Sequence, residues 1–150
     1  MLYQFRRVLV GNVHLNKNSY IVPIQLTFVR NPPIIIYTDA GTREGGRICL
    51  IDQQKNKCII KQRTGDLSNN QLEYLGLLYA ISYSNNNYPR RNVTIYTDSL
   101  LVANQMSKKW RITTDHLIPL WVKCQKYIRD TTRVVWIKRE KNLAGIELDK

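Results

Sequence analysis

No apolar run in these 150 residues is long enough to cross a membrane, which takes about 20 consecutive apolar positions. The first residues, Met1-Leu2-Tyr3-Gln4-Phe5-Arg6-Arg7, lack the charged-then-apolar order of a signal peptide. Cysteine is sparse: Cys49, Cys58 and Cys124 show no metal-binding spacing and leave an odd one out. These features predict a reducing, cytoplasmic setting with no membrane association. Cys49 and Cys58 fall on adjoining strand-like segments, able to face each other, and read as small buried side chains. Histidine is limited to His14 and His116, read as ordinary surface or capping residues. No Ser/His/Asp or Cys/His set is visible, so nothing points to a nucleophilic side chain. There is no internal repeat and no low-complexity segment. Acids are scarce, 11 Asp and Glu against 23 Lys and Arg, giving a net charge of +12 and a pI near 9.8. Such an excess on a globular chain points to a polyanionic partner.

What is present is organised around Ile34-Ile35-Ile36-Tyr37-Thr38-Asp39, a short branched apolar run that ends in a carboxylate. Val93-Thr94-Ile95-Tyr96-Thr97-Asp98 repeats that ending. Runs of this length and β-branched content read as buried strands of a parallel sheet. Placed side by side, they bring Asp39 and Asp98 together at or near strand ends. Two carboxylates so close repel unless a cation lies between them, and hard divalent ions, Mg2+ above all, suit oxygen donors. One Tyr-Thr-Asp alone is only a strand end before a helix cap; two copies favour a site.

The hydrophobic share of 43% suits a globular core. Residues 1–33 carry two strand-like runs, residues 5–10 and 20–29, closed by Asn31-Pro32-Pro33. They predict an N-terminal β-hairpin extension ahead of a domain at 34–150. Residues 47–51 and 57–63 alternate as paired strands around the polar turn 52–56. Ser68 and Gln71 have capping-box spacing, so a helix starts there, with Leu72, Leu75, Leu78, Tyr79 and Ile81 as its apolar stripe through Tyr83. Glu73 lies in its first turns, one turn past Asn69 on the same face. The macrodipole accounts for such an acid on its own, yet Glu73 can also point at the sheet edge that carries the two Asp residues. Asn85-Asn86-Asn87 reads as a polar loop. Further helices are predicted over 99–107 and 115–129, the latter with Pro119 in its first turn, then a strand over 133–138 and a short helix ending in Asp149.

Basic residues crowd the last third, interleaved with Trp110, Trp121, Tyr127 and Trp136. That mixture suits a nucleic-acid backbone and its bases. Trp121 and Trp136 read as core aromatics. Trp110, between Lys108, Lys109 and Arg111 in an expected loop, is the contact candidate.

This order of elements, with Tyr37-Thr38-Asp39, Ser68-Asn69-Asn70-Gln71-Leu72-Glu73, Tyr96-Thr97-Asp98-Ser99 and Trp136-Ile137-Lys138-Arg139-Glu140-Lys141-Asn142, resembles the type 1 ribonuclease H family over about residues 34–150. The resemblance implies an α/β ribonuclease H-like fold, a five-stranded mixed sheet in the order 3-2-1-4-5 flanked by helices. It implies an endonuclease that cuts the RNA strand of RNA/DNA hybrids with two Mg2+ or Mn2+ ions per site, and a monomer is favoured. Two such ions, about 3.5–4 Å apart, generate the attacking hydroxide and stabilise the leaving oxygen. Asp39, Glu73 and Asp98 would be metal-binding carboxylates, and Asn69 and Asn70 would contact the hybrid minor groove. Ser68 would help hold a phosphate, and Lys108, Trp110, Arg139 and Asn142 would contact substrate.

The departures resemble the shorter archaeal-like members. Arg139-Glu140-Lys141-Asn142 stands where many members have a glycine-rich loop with a His, and residues 107–114 replace a basic protrusion. The family's last Asp would fall at Ile146; Asp149 is the expected fourth metal ligand and Asn142 its rival. A ribonuclease H-fold nuclease acting on DNA, of resolvase or transposase type, and a catalytically weakened hybrid-binding module stay open as alternatives.

Overall fold

The computed structural model describes residues 31–150 with the exception of Thr64. The expected hairpin strands and His14 lie outside the described residues. Residues Pro32–Lys150 form one unit, built on a sheet of β1 (Ile34–Gly41), β2 (Arg47–Asp52), β3 (Lys57–Gln62), β4 (Val93–Thr97) and β5 (Thr132–Trp136). Their spatial order is β3-β2-β1-β4-β5, as the resemblance implied. β1 pairs antiparallel with β2 and parallel with β4, while β4 pairs parallel with β5. Four helices complete the fold: α1 (Asn69–Asn87), α2 (Leu100–Met106), α3 (Ile118–Tyr127) and α4 (Leu143–Leu148).

Strand alternation sorts β1 into two faces. Ile34, Ile36 and Ala40 pack with Ile48, Leu50 and the buried side chains of α1. Tyr37 turns the other way and packs with Cys49, Ile51, Ala144 and Leu148 of α4. Asp39 is an odd-numbered position of the same strand, so it shares the α4 side. The α1 backbone comes so close to β1 that a Cβ on Gly76 would lie 3.0 Å from Thr38 Oγ1.

Several elements differ from the sequence reading. α1 continues one turn past Tyr83, and Asn85-Asn86-Asn87 are helical. Asn87 donates to the Tyr83 carbonyl one turn back and Asn85 to the Tyr127 carbonyl across the fold, so one local and one tertiary bond override weak propensity. Its buried residues include Tyr74, Gly76, Leu77 and Ala80, whereas Leu75, Leu78 and Tyr79 are only partly buried. The helix contacts β1 and β2 on one side and α3 on the other, so it buries most of its circumference rather than one stripe. A 3-10 turn, Asp115–Leu117, precedes α3, and Pro119 sits in the first turn of that helix. Cys58 is exposed, not buried, because it points out of an edge strand; its Sγ lies 3.8 Å from that of buried Cys49. Trp136 is 42% exposed rather than a core residue.

Candidate active site

Three elements bring three carboxylates to one place. Asp39 sits on β1 two residues before its end, Asp98 directly follows β4, and Glu73 lies in the second turn of α1. The parallel register of β1 with β4 sets Tyr37 beside Tyr96, which puts the two Asp residues side by side. The capping box of α1 is formed: Gln71 N donates to Ser68 Oγ at 3.2 Å and Ser68 N to Gln71 Oε1 at 2.8 Å. That start point fixes the phase of the helix and aims Glu73 at the strand ends. Each of the three acids offers an oxygen within 4.8 Å of the others.

The backbone under Asp98 is held from both sides. Ser99 N donates to Thr97 Oγ1, Val102 N donates to Ser99 Oγ to start α2, and the Trp136 indole donates to the Asp98 carbonyl at 3.2 Å. The positioning role of Trp136 was missed in the sequence, although its place beside Thr97 in the β4–β5 register follows from the strand order.

Burial makes this cluster electrostatically costly. Asp39 is 1% exposed and Glu73 7%. Desolvation, and then the Asp98 charge, raise the Asp39 pKa to about 7, against the opposing pull of Arg139. Desolvation, and then Asp39 and Asp98, raise Glu73 to about 9. Asp39 Oδ1 is buried with no hydrogen-bond partner. An unpartnered buried carboxylate oxygen within reach of two further carboxylates is a hard donor set that fits a divalent cation.

The cation that reaches the site belongs to the chain itself. Arg139 Nη1 donates to Asp39 Oδ2 at 2.6 Å and to Asp98 Oδ2 at 3.0 Å, and Nη2 donates to both oxygens of Asp149 at 3.0 and 3.2 Å. Asp149, the C-cap of α4, thus joins the site through Arg139 and lies outside the carboxylate group. Glu147 faces elsewhere and pairs with Lys150. Asn142, expected to touch substrate or metal, is fully buried: Nδ2 donates to the Thr38 carbonyl, and Oδ1 accepts from Ala144 N to cap α4. Both ends of that amide are used within the fold, which corrects its expected role.

Beside Asp39 a cleft of about 90 Å³ is lined by Arg43, Arg47, Arg139, Leu148 and Asp149 among others. Ser68, Asn69 and Asn70 are exposed at the start of α1, and Ser68 is engaged in its capping box. Lys108 and Trp110 are exposed in the loop after α2. Its path is fixed by Lys109 N and Trp110 N, both donating to the Asn104 carbonyl, and by Gln105, whose Nε2 holds the Arg111 carbonyl.

This strand order, with acids from β1, α1 and the end of β4 meeting at one edge, defines a ribonuclease H-like protein. The chain belongs to the family described as reverse transcriptase-like, whose model matches residues 38–148, and the resemblance to type 1 ribonuclease H holds. LC11-RNase H1, isolated from compost by a metagenomic approach, is 26% identical, with 77% of this chain and 91% of that one covered at a TM-score of 0.64. The same enzyme in complex with an RNA/DNA hybrid gives 25%, 77%, 92% and 0.63. RNase H1 of the halophilic archaeon Halobacterium salinarum NRC-1 shares the fold at 19% identity, covering 78% and 94% at 0.60. No curated protein matches the chain in sequence.

Proposed function

We propose that this protein is an endonuclease that hydrolyses the RNA strand of RNA/DNA hybrids with two divalent ions, Mg2+ or Mn2+. The observation that carries the reading is the meeting of Asp39, Glu73 and Asp98 within 4.8 Å, with one buried Asp39 oxygen left unpartnered. The hybrid complex of a relative with the same fold supports the substrate class. Bound divalent ions supply the positive charge that acidifies an attacking water and stabilises the leaving oxygen. The three acids hold them, with Asp149 as the proposed fourth ligand. Asn69 and Asn70, exposed one helical turn before Glu73, face the minor groove of the hybrid, and Ser68 lies beside a backbone phosphate. Lys108 and Trp110 hold the DNA strand through charge and stacking.

Labelled RNA/DNA hybrid, duplex DNA and duplex RNA incubated with Mg2+, Mn2+ or EDTA test this directly. Cleavage of the hybrid's RNA strand alone, only with metal, is expected, and Asp39→Asn should abolish it while hybrid binding persists. Equal rates in EDTA and Mg2+ would sink the reading. Cutting of duplex DNA would favour a DNA nuclease of the same fold, and binding without cutting a weakened hybrid-binding module.

A further inference from the structure

We propose that Arg139 is the site's own counter-cation: it neutralises Asp39 and Asp98 in the metal-free protein and must leave them for a divalent ion to load. The inference rests on the metal-binding reading above and concerns how that same site is filled.

Three observations carry it. First, the guanidinium bridges Asp39, Asp98 and Asp149 by four hydrogen bonds. Among the described residues no other side chain forms an ion pair with Asp39 or Asp98. It takes up Oδ2 of each of those two acids and makes no hydrogen bond to Glu73, and Asp39 Oδ1 stays unpartnered. The site is therefore half-neutralised, and an incoming ion of higher charge gains the oxygens that the arginine leaves out.

Second, α4 is shaped for this arginine. A Cβ on Gly145 would lie 2.9 Å from Arg139 Nη1, 3.0 Å from Cζ and 3.2 Å from Nε. Gly145 lies inside a helix, where glycine costs about 1 kcal/mol relative to alanine. Its backbone is not in the left-handed region, so conformational freedom does not require it. The glycine leaves room for the guanidinium where it lies, and an added Cβ would push that flexible end aside rather than break the helix.

Third, the arginine has somewhere to go. Its side chain is 48% exposed, and that of Asp149 63%. Rotation about the bond pair to Asp149 carries Nη1 off Asp39 and Asp98 while keeping one ion pair. Asp149 has two carboxylate oxygens, both on the arginine here, so one can retain the arginine while the other serves the ion as the fourth ligand.

The sign of the effect separates this role from a structural one. A supporting arginine, once removed, would leave a disordered site that binds metal worse; a competing cation, once removed, leaves a site that binds metal better. Calorimetric titration of Mg2+ and Mn2+ into the wild type, Arg139→Ala and Gly145→Ala, without nucleic acid, reads this out. Arg139→Ala should bind the first ion about tenfold tighter or more, since a full charge at hydrogen-bond distance is removed. Its melting temperature should fall in EDTA and recover with metal by more than that of the wild type. Gly145→Ala, which keeps the arginine and improves helix propensity, should shift metal affinity the same way by less. Affinity in Arg139→Ala equal to or weaker than wild type overturns the inference. Failure of every variant to bind either ion overturns both this and the metal reading. Tighter binding in Arg139→Ala, with no variant cutting hybrid, upholds the counter-cation and overturns the nuclease.

Discussion

Asn142 shows how much one buried amide decides. It ties the last helix to the Thr38 carbonyl, one residue before Asp39, and caps that helix at the same time. Asn142→Ala leaves a buried carbonyl and a helix start without partners, a loss of about 2–3 kcal/mol. Chemical denaturation should register that loss. If stability is unchanged but metal affinity collapses, the amide is a metal ligand after all. The acids themselves predict a pH dependence. The pKa values of Asp39 and Glu73 are raised to about 7 and about 9. The fold therefore favours their protonated forms, and metal-free stability falls as pH rises from about 4 through those two values. Metal binding has to release the same protons, so affinity for Mg2+ should rise between about pH 6 and pH 9. Calorimetry at several pH values checks this, and a flat profile would refute it. Asp39, Glu73 and Asp98 were legible because each follows a local signal: a strand end, a capping box, a repeated tripeptide. The bonds of Arg139 to Asp39 and of Asn142 to Thr38 were not, since their partners lie 100 and 104 positions away.

Element by element, the strands were read well in place and order, since β1 to β5 fall on the segments their composition pointed to, although β2 buries three residues in a row where alternation was expected. α1 was read poorly. A helix held between a sheet and another helix has no single apolar stripe, so a one-stripe reading left out the buried Tyr74, Leu77 and Ala80. Gly76 lies close against Thr38, one turn from Glu73 and next to Asp39 in the chain, so a change there should alter how the two acids meet. Gly76→Ala gains helix propensity, about 1 kcal/mol, but crowds Thr38 Oγ1 at 3.0 Å, and overpacking costs about 1–3 kcal/mol. A net loss of stability with weakened metal affinity is expected. Thr38→Ala should restore both in the double variant by removing the obstructing hydroxyl. An additive double-mutant cycle would show that the two sites do not touch energetically.

At the scale of the whole molecule the excess of positive charge suits a polyanionic partner, and one strained residue marks a place where that charge is testable. Lys108 has φ 61°, a left-handed conformation that suits glycine. It follows the C-cap Ser107 of α2, with Lys108 N donating to the Gln105 carbonyl and Lys109 N to the Asn104 carbonyl. That is the Schellman ending, in which glycine usually takes this position. A lysine there costs about 1–2 kcal/mol, and the cost is explained if its charge is used on a phosphate. Stability and binding should then move in opposite directions. Lys108→Gly should raise stability by about 1 kcal/mol, reduce hybrid affinity, and lower the slope of log affinity against log salt by about one unit. Trp110→Ala removes a ring that is 48% exposed and carries no charge. It should weaken binding through lost stacking, leaving the salt slope unchanged. Equilibrium binding of hybrid across a salt series, beside thermal melts of the same proteins, separates the two contributions. A Lys108→Gly protein that melts higher yet binds as tightly, with the same slope, would remove the α2–α3 loop from the binding face.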